Sequence, residues 1–299
     1  MGDTGAGKST TLNAILGEES ILPTNGMRAC TAVIIEMRYS RPTDTHKYVG
    51  EVEFLTREEW NNELDILISD MKTEDGRLIK KPDPRSQAGI ALAKIKVVYG
   101  NVTVEQIPAL KHVNNHITRA LGSTQVIKEN HPRRFKKAIE KYADSNNNVI
   151  EQAYWPLVKR ISLRGPWDAL HSGAVLVDAP GVRDDNSARD AVVKGYLRDG
   201  NSIWIVANIK RAVNDRTAKD MLGESFRRQL LMDGQYGSLA FIATHADVVN
   251  RSELIENLRL ADENASRKDC AKARNAYTKK RIKEDFHAGK HLLIATIVI

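Results

Sequence analysis

Cysteine is nearly absent from this sequence: 299 residues hold two, Cys30 and Cys270. Two thiols build no disulfide framework, so a reducing intracellular compartment, nucleus or cytoplasm, is expected. Long apolar runs are missing as well. The longest clearly apolar stretch, Leu292 to Ile299, falls far short of the roughly 20 residues of a membrane-spanning helix. No charged-then-apolar leader precedes the first motif, which argues against secretion. Met1-Gly2 does not open a myristoylation signal, because the position that needs Ser or Thr is Ala6. Acidic residues are in deficit, 38 against 45 Lys and Arg, for a formal net charge of +7. That balance suits an anionic partner, and it equally suits a phosphate site set among lysine-rich solvated helices. The densest basic clusters, His131 to Lys137 and Lys279 to Arg281, read as charged helix faces ahead of weak nuclear-import or phosphate-binding patches. With no aromatic-interleaved basic face and no lipid anchor, neither a nucleic-acid nor a membrane partner is supported.

What is present is a globular balance, 41% apolar and 28% charged. A glycine loop at Gly2 to Ser9 leads into a helix with Leu12, Ile15 and Leu16 on one face and Gly17 as its stop. Thr31 to Tyr39 is β-rich, Lys47 to Leu55 alternates, and Arg41-Pro42-Thr43-Asp44 between them predicts a hairpin. Residues 56–158 read as mainly helical. Thr56 to Glu59 forms a capping box ahead of Trp60, Leu64, Leu67 and Ile68, and further helices are expected over Gln87 to Tyr99, Val104 to Leu121 and Arg133 to Tyr142. Later the pattern changes. Lys159 to Arg164 alternates, whereas Ala174 to Val177, Ser202 to Ile209 and Ser238 to Ala243 are short apolar runs like buried parallel strands. Helices at Ala188 to Arg198 and Arg216 to Met232 separate them, and a charged helix is expected from about Ser252 to Phe286. Strand–helix alternation predicts an α/β fold with a doubly wound, mostly parallel sheet. The expected division is 1–55 and 159–250 for the sheet domain, 56–158 for a helical insertion and 251–299 for the start of a charged helical region.

Four motifs carry chemistry. Gly2-Asp3-Thr4-Gly5-Ala6-Gly7-Lys8-Ser9 fits the P-loop pattern G-x-x-x-x-G-K-[ST] at every fixed position. Glycines let backbone N–H groups wrap phosphates at a helix N-terminus, where the dipole favours anions. Lys8 reaches the β and γ phosphates, Ser9 holds Mg²⁺, and the run through Thr10 is the candidate nucleotide-contacting segment. Val175-Leu176-Val177-Asp178-Ala179-Pro180-Gly181 delivers Asp178 to the Mg²⁺ shell and the Gly181 amide to the γ-phosphate. Thr31, with Thr24 as a rival in the same loop, is placed to reach Mg²⁺ and the γ-phosphate. Arg28 is a candidate in-cis arginine finger. Last comes Ala243-Thr244-His245-Ala246-Asp247, at the strand end where GTPases carry [NT]-K-x-D. Asp247 is placed to accept from the guanine N1–H and 2-amino group; His245 stands where a Lys is usual, which leaves GTP against ATP open.

With these motifs in order, the chain resembles the dynamin superfamily of large GTPases. Within it, the likeness is to the nuclear GTPases of the germinal-centre-associated SLIP-GC type and their fungal relatives. The resembling stretches run Gly2 to Leu16, Leu22 to Asn25, Ala29 to Val33, Gly173 to Gly181 and Ile203 to Ala207. The spacing agrees: 170 positions separate Lys8 from Asp178, far more than in small GTPases. The resemblance implies a GTPase domain with helical insertions, GTP as substrate, Mg²⁺, and pairing of two copies across the nucleotide face.

The departures set the alternatives. A β-strand is expected to feed a P-loop, and Gly2 follows Met1 directly, so that first strand is expected to lie outside this sequence. The helical stalk of dynamins would lie beyond residue 299. Dynamins carry a Gln-Ser pair where this chain has Thr4 and Gly5; Thr4 can orient a water, whereas Gly5 cannot. The leading expectation is GTP hydrolysis with Lys8, Thr31, Thr4 and Arg28 as catalytic candidates, Ser9, Thr31 and Asp178 at the metal, and switch loops at Pro23 to Ala32 and Gly181 to Ala188. The alternatives are a nucleotide-binding scaffold without turnover and an ATPase-type P-loop protein.

Overall fold

The structure, a computed structural model, describes residues 2, 5–22, 33–84, 86–143, 153–179, 202–210, 238–260, 262, 264–286 and 294–298. It is a mixed α/β fold. Two compact units make it up: Ser9–Pro180 with Asp184–Val193, and Met1–Lys8 with Gly181–Arg183 and Lys194–Ile299.

The larger unit is built on a five-stranded sheet of β1 (Ile35–Tyr39), β2 (Tyr48–Phe54), β3 (Thr124–Glu129), β4 (Val158–Gly165) and β5 (Leu176–Asp178), in the order β3-β2-β4-β1-β5. Period-two alternation sorts its faces. Ile35, Met37, Val52, Ile161 and Leu163 share one face and are fully or almost fully buried. Against that core come side chains from α1 (Lys8–Ile15), α2 (Arg57–Asp70), α3 (Gln87–Tyr99) and α4 (Pro132–Ala143), including Leu12, Trp60, Leu64, Ile95, Phe135 and Ile139. The opposite face is a cross-strand charge ladder. Arg160 pairs with Glu53 at 2.6 Å and with Glu36 at 3.6 Å, and Arg164 pairs with Glu51 at 2.9 Å. One apolar and one charged face is the pattern of an antiparallel sheet rather than a doubly wound one. Accordingly β1–β4 is the single parallel pair among the five strands, and the expectation of a mostly parallel sheet is corrected for this unit.

The predicted hairpin is also corrected. β1 and β2 do not pair, because β4 lies between them. The turn that suggested the hairpin is instead tied to β4: Asp44 receives hydrogen bonds from Arg164 Nε at 3.0 Å and Nη2 at 3.1 Å. The run before Asp178 was expected as a buried parallel strand. It is short, pairs antiparallel with β1, and leaves Val175 and Val177 more than a third exposed at the sheet's edge. In the region read as helical, β3 adds a strand, and residues 104–112, which include Pro108, form a 3₁₀ helix. Elsewhere the local signals match: Thr56 and Glu59 close both halves of the capping box, and Trp60, Leu64, Leu67 and Ile68 are buried.

The smaller unit is a three-stranded parallel sheet, β6 (Ser202–Asn208), β7 (Ser238–Thr244) and β8 (Ile294–Val298), in that order. The apolar run that begins at Leu292 therefore supplies a strand. The single charged helix expected from Ser252 is two, α5 (Arg251–Leu258) and α6 (Arg267–Phe286). Arg259 ends the first in the left-handed region at φ 48°. Ser266, whose hydroxyl accepts from Asp269 N at 3.2 Å, starts the second. The helices expected at 188–198 and 216–232 lie outside the described residues. Among the described residues no helix is long and apolar enough to cross a membrane.

Candidate functional site

In the smaller unit, the glycine loop meets the C-terminal ends of β6 and β7, where ligands of open α/β sheets bind. The buried Thr244, last residue of β7, donates its hydroxyl to Ala6 O at 2.7 Å and lies 3.3 Å from Ala207 O. One side chain thus ties the loop to both strands. Ala6, Val206 and Ile242 form a small apolar cluster beneath, with Trp204 against it. Gly2 runs so close to β6 that a Cβ would stand 2.0 Å from Val206 O, and Gly7 has φ 87°, a conformation that side chains disfavour. Glycine is therefore required at Gly2 by contact and by backbone angle, and at Gly7 by backbone angle. Lys8 Nζ donates to Gly2 O at 2.9 Å, which arches the ammonium back over the loop. Gly5, also at positive φ, is exposed, and so is Thr10.

After Thr244 the chain turns. His245 is exposed and left-handed at φ 58°, uncommon for a side-chain-bearing residue, with its ring Nδ1 3.0 Å from the Thr244 hydroxyl. Val248 N donates to His245 O at 3.2 Å and closes the turn. Asp247 is exposed.

In the larger unit, Ser9 and Asp178 come together. The Ser9 hydroxyl donates to Asp178 Oδ2 at 2.6 Å, joining motifs 169 residues apart. Asp178 is 1% exposed, at the end of β5, opposite Ile35 of β1. A hydroxyl and a carboxylate are hard oxygen donors, the type Mg²⁺ takes when substrate phosphates and waters complete its shell. The residues present therefore fit that ion. Among the described residues no cluster of three or more His, Cys, Asp or Glu gathers to hold a metal.

One residue here escaped the sequence reading. Asn13, 2% exposed on α1, accepts from Ile21 N at 3.0 Å and Leu22 N at 2.8 Å and donates to Leu22 O at 3.3 Å. It fixes the chain just ahead of Pro23, where the switch loop was expected. A polar side chain beside the apolar Leu12 and Leu16 was the available signal. Asp3, Thr4, Thr24, Arg28, Thr31 and Gly181 lie outside the described residues.

Comparison with known proteins identifies the family. A model of the dynamin family matches residues 1–230. Nuclear GTPase SLIP-GC of Mus musculus is 26% identical over 282 residues, covering 88% of this chain and 34% of that protein. Its Homo sapiens counterpart is 26% identical over 274 residues, with the same coverage. The chain thus spans about a third of the length of the curated relatives it matches. A solved structure of an oligomerised bacterial dynamin pair, described as a mechanism for long-range sensing and tethering of membranes, superposes with a TM-score of 0.53 at 17% identity. It covers 99% of this chain and 38% of that one, a likeness of fold. With the family model covering well over half of its length, the chain belongs to the dynamin family.

Proposed function

We propose that the chain binds GTP with Mg²⁺ and hydrolyses it by in-line attack of water on the γ-phosphate. The observation that carries this reading is the 2.6 Å contact between Ser9 and Asp178, two oxygen donors from the two phosphate-site motifs. The backbone N–H groups of the glycine loop and the start of α1 bind the phosphates, and the Lys8 ammonium neutralises them. Ser9, Asp178 and Thr31 would hold Mg²⁺, which would supply charge neutralisation to the phosphates. The Gly181 amide contacts the γ-phosphate, Thr4 orients the water, and Arg28 stabilises charge on the transferred group. Asp247 reads the guanine, with His245 against the base and Thr244 keeping loop and strand in register. Segments 23–32 and 181–188 respond to the γ-phosphate as switches. We assign this work to 1–55 and 159–250, with 56–158 as an insertion and 251–299 opening a helical region. We place the protein in the nucleus or cytoplasm, and extend to it pairing of two copies across the nucleotide face.

Phosphate release from GTP with Mg²⁺ tests the reading. Steady turnover that Lys8→Ala abolishes is expected. Gly5 favours one alternative: with no side chain at that position, the chain would bind nucleotide as a scaffold without turnover. Lys8-dependent binding with no phosphate release would select it.

A further inference from the structure

The turn after β7 is held from below by two arginines of α6. Arg274, only 7% exposed, donates from Nη1 to Val248 O at 2.8 Å and from Nη2 to Ala246 O at 2.6 Å. Arg267 Nη2 donates to Asp247 O at 3.1 Å. Three successive carbonyls, 246 to 248, thus end on guanidinium groups of one helix. Asn275 Oδ1 receives Arg274 Nε at 3.2 Å and Nη2 at 3.1 Å, which fixes the plane of the fork.

We propose that Arg274, assisted by Arg267, is a positioning residue for guanine recognition: it sets the backbone of the 245–248 turn so that the Asp247 carboxylate is presented to the base. The inference rests on the reading of Asp247 as the guanine acceptor. With all three carbonyls turned onto α6, the Asp247 side chain stays exposed while its backbone is held. The same bonds help hold His245 in its left-handed conformation, which costs of order 1–3 kcal/mol and persists only where the surroundings over-determine it. Charge-assisted bonds are the strong kind, and a planar two-pronged donor suits carbonyls two residues apart in a way a lysine ammonium does not. Burial lowers the Arg274 pKa from its ordinary value and the Asp247 carboxylate draws it back up, yet an arginine remains charged in a protein. Nothing in the sequence motif marks this residue, which lies 27 positions beyond Asp247.

The test compares affinities of the full chain for GTP and for inosine triphosphate, which lacks the 2-amino group, both with Mg²⁺. Wild type is expected to prefer GTP by about tenfold or more, as a hydrogen bond to a charged acceptor implies. Asp247→Ala should lose that preference. Arg274→Lys and Arg274→Met should lose most of it while affinity for inosine triphosphate changes little, and Arg267→Gln, at an exposed position, should lose about threefold. A merely structural role would lower both affinities together, which overturns the proposal. So does retention of the preference in Arg274→Lys and Arg267→Gln while Asp247→Ala loses it; that result leaves the base reading standing. If wild type shows no preference, or Asp247→Ala keeps it, the base reading and this inference fall together.

Discussion

That Ser9 and Asp178 come together was legible in the sequence, because the chemistry of a phosphate site fixes residue types within each motif. Asn13 and Arg274 were not, because their partners are main-chain atoms of segments that only the fold brings near. The Asp178 assignment makes a direct prediction. Asp178→Asn removes one negative oxygen from the proposed Mg²⁺ site, so the Mg²⁺-dependent gain in nucleotide affinity should fall at least about tenfold. Titrations with and without Mg²⁺ check this, and an unchanged gain argues against the site. A second residue-level prediction concerns Asp44. Burial pushes its carboxyl pKa up, but hydrogen bonds from Arg164 and from Arg41 N–H outweigh burial and hold it below the ordinary value. A depressed folded-state pKa gives stability that is present at neutral pH and lost as the pH falls below the unfolded value of about 3.9. Urea unfolding at pH 7 and pH 3 should therefore show a smaller acid loss in Asp44→Asn than in wild type.

Among the elements, α2 was readable to its first turn because its start signal is local: Thr56 accepts from Glu59 N at 3.1 Å, and Glu59 from Thr56 N at 2.8 Å. Thr56→Ala should cost about 1 kcal/mol, seen as a lower urea midpoint at unchanged m-value. The expected β1–β2 hairpin shows the opposite case. Alternation and turn residues identify two strands, but neighbours in sequence are neighbours in a sheet only if no later strand intervenes. β4, which arrives more than a hundred residues later, does so. The break between α5 and α6 was hidden for another reason: it depends on Arg259 adopting a left-handed conformation that its residue type does not announce.

For the whole molecule, most strands and the parallel β6–β7 pairing were legible in the sequence, whereas the strand order and directions of the five-stranded sheet were not. The apolar runs at 202–209 and 238–243 entered the parallel β6-β7-β8 sheet, whereas the apolar run before Asp178 joined the alternating runs in a mixed sheet with one charged face. The assignment of a Mg²⁺-dependent nucleotide site predicts linkage across the chain. GTP with Mg²⁺ at a hundred times its Kd should stabilise wild type by about 2.7 kcal/mol, and Lys8→Ala should lose that gain. The most direct measurement is titration of the purified chain with a fluorescent GTP analogue and Mg²⁺, competed by GTP and by ATP, with Lys8→Ala alongside. Displacement by GTP and not by ATP, with no binding to Lys8→Ala, is the predicted result. A folded chain that binds no nucleotide, or whose binding survives Lys8→Ala, would contradict the account.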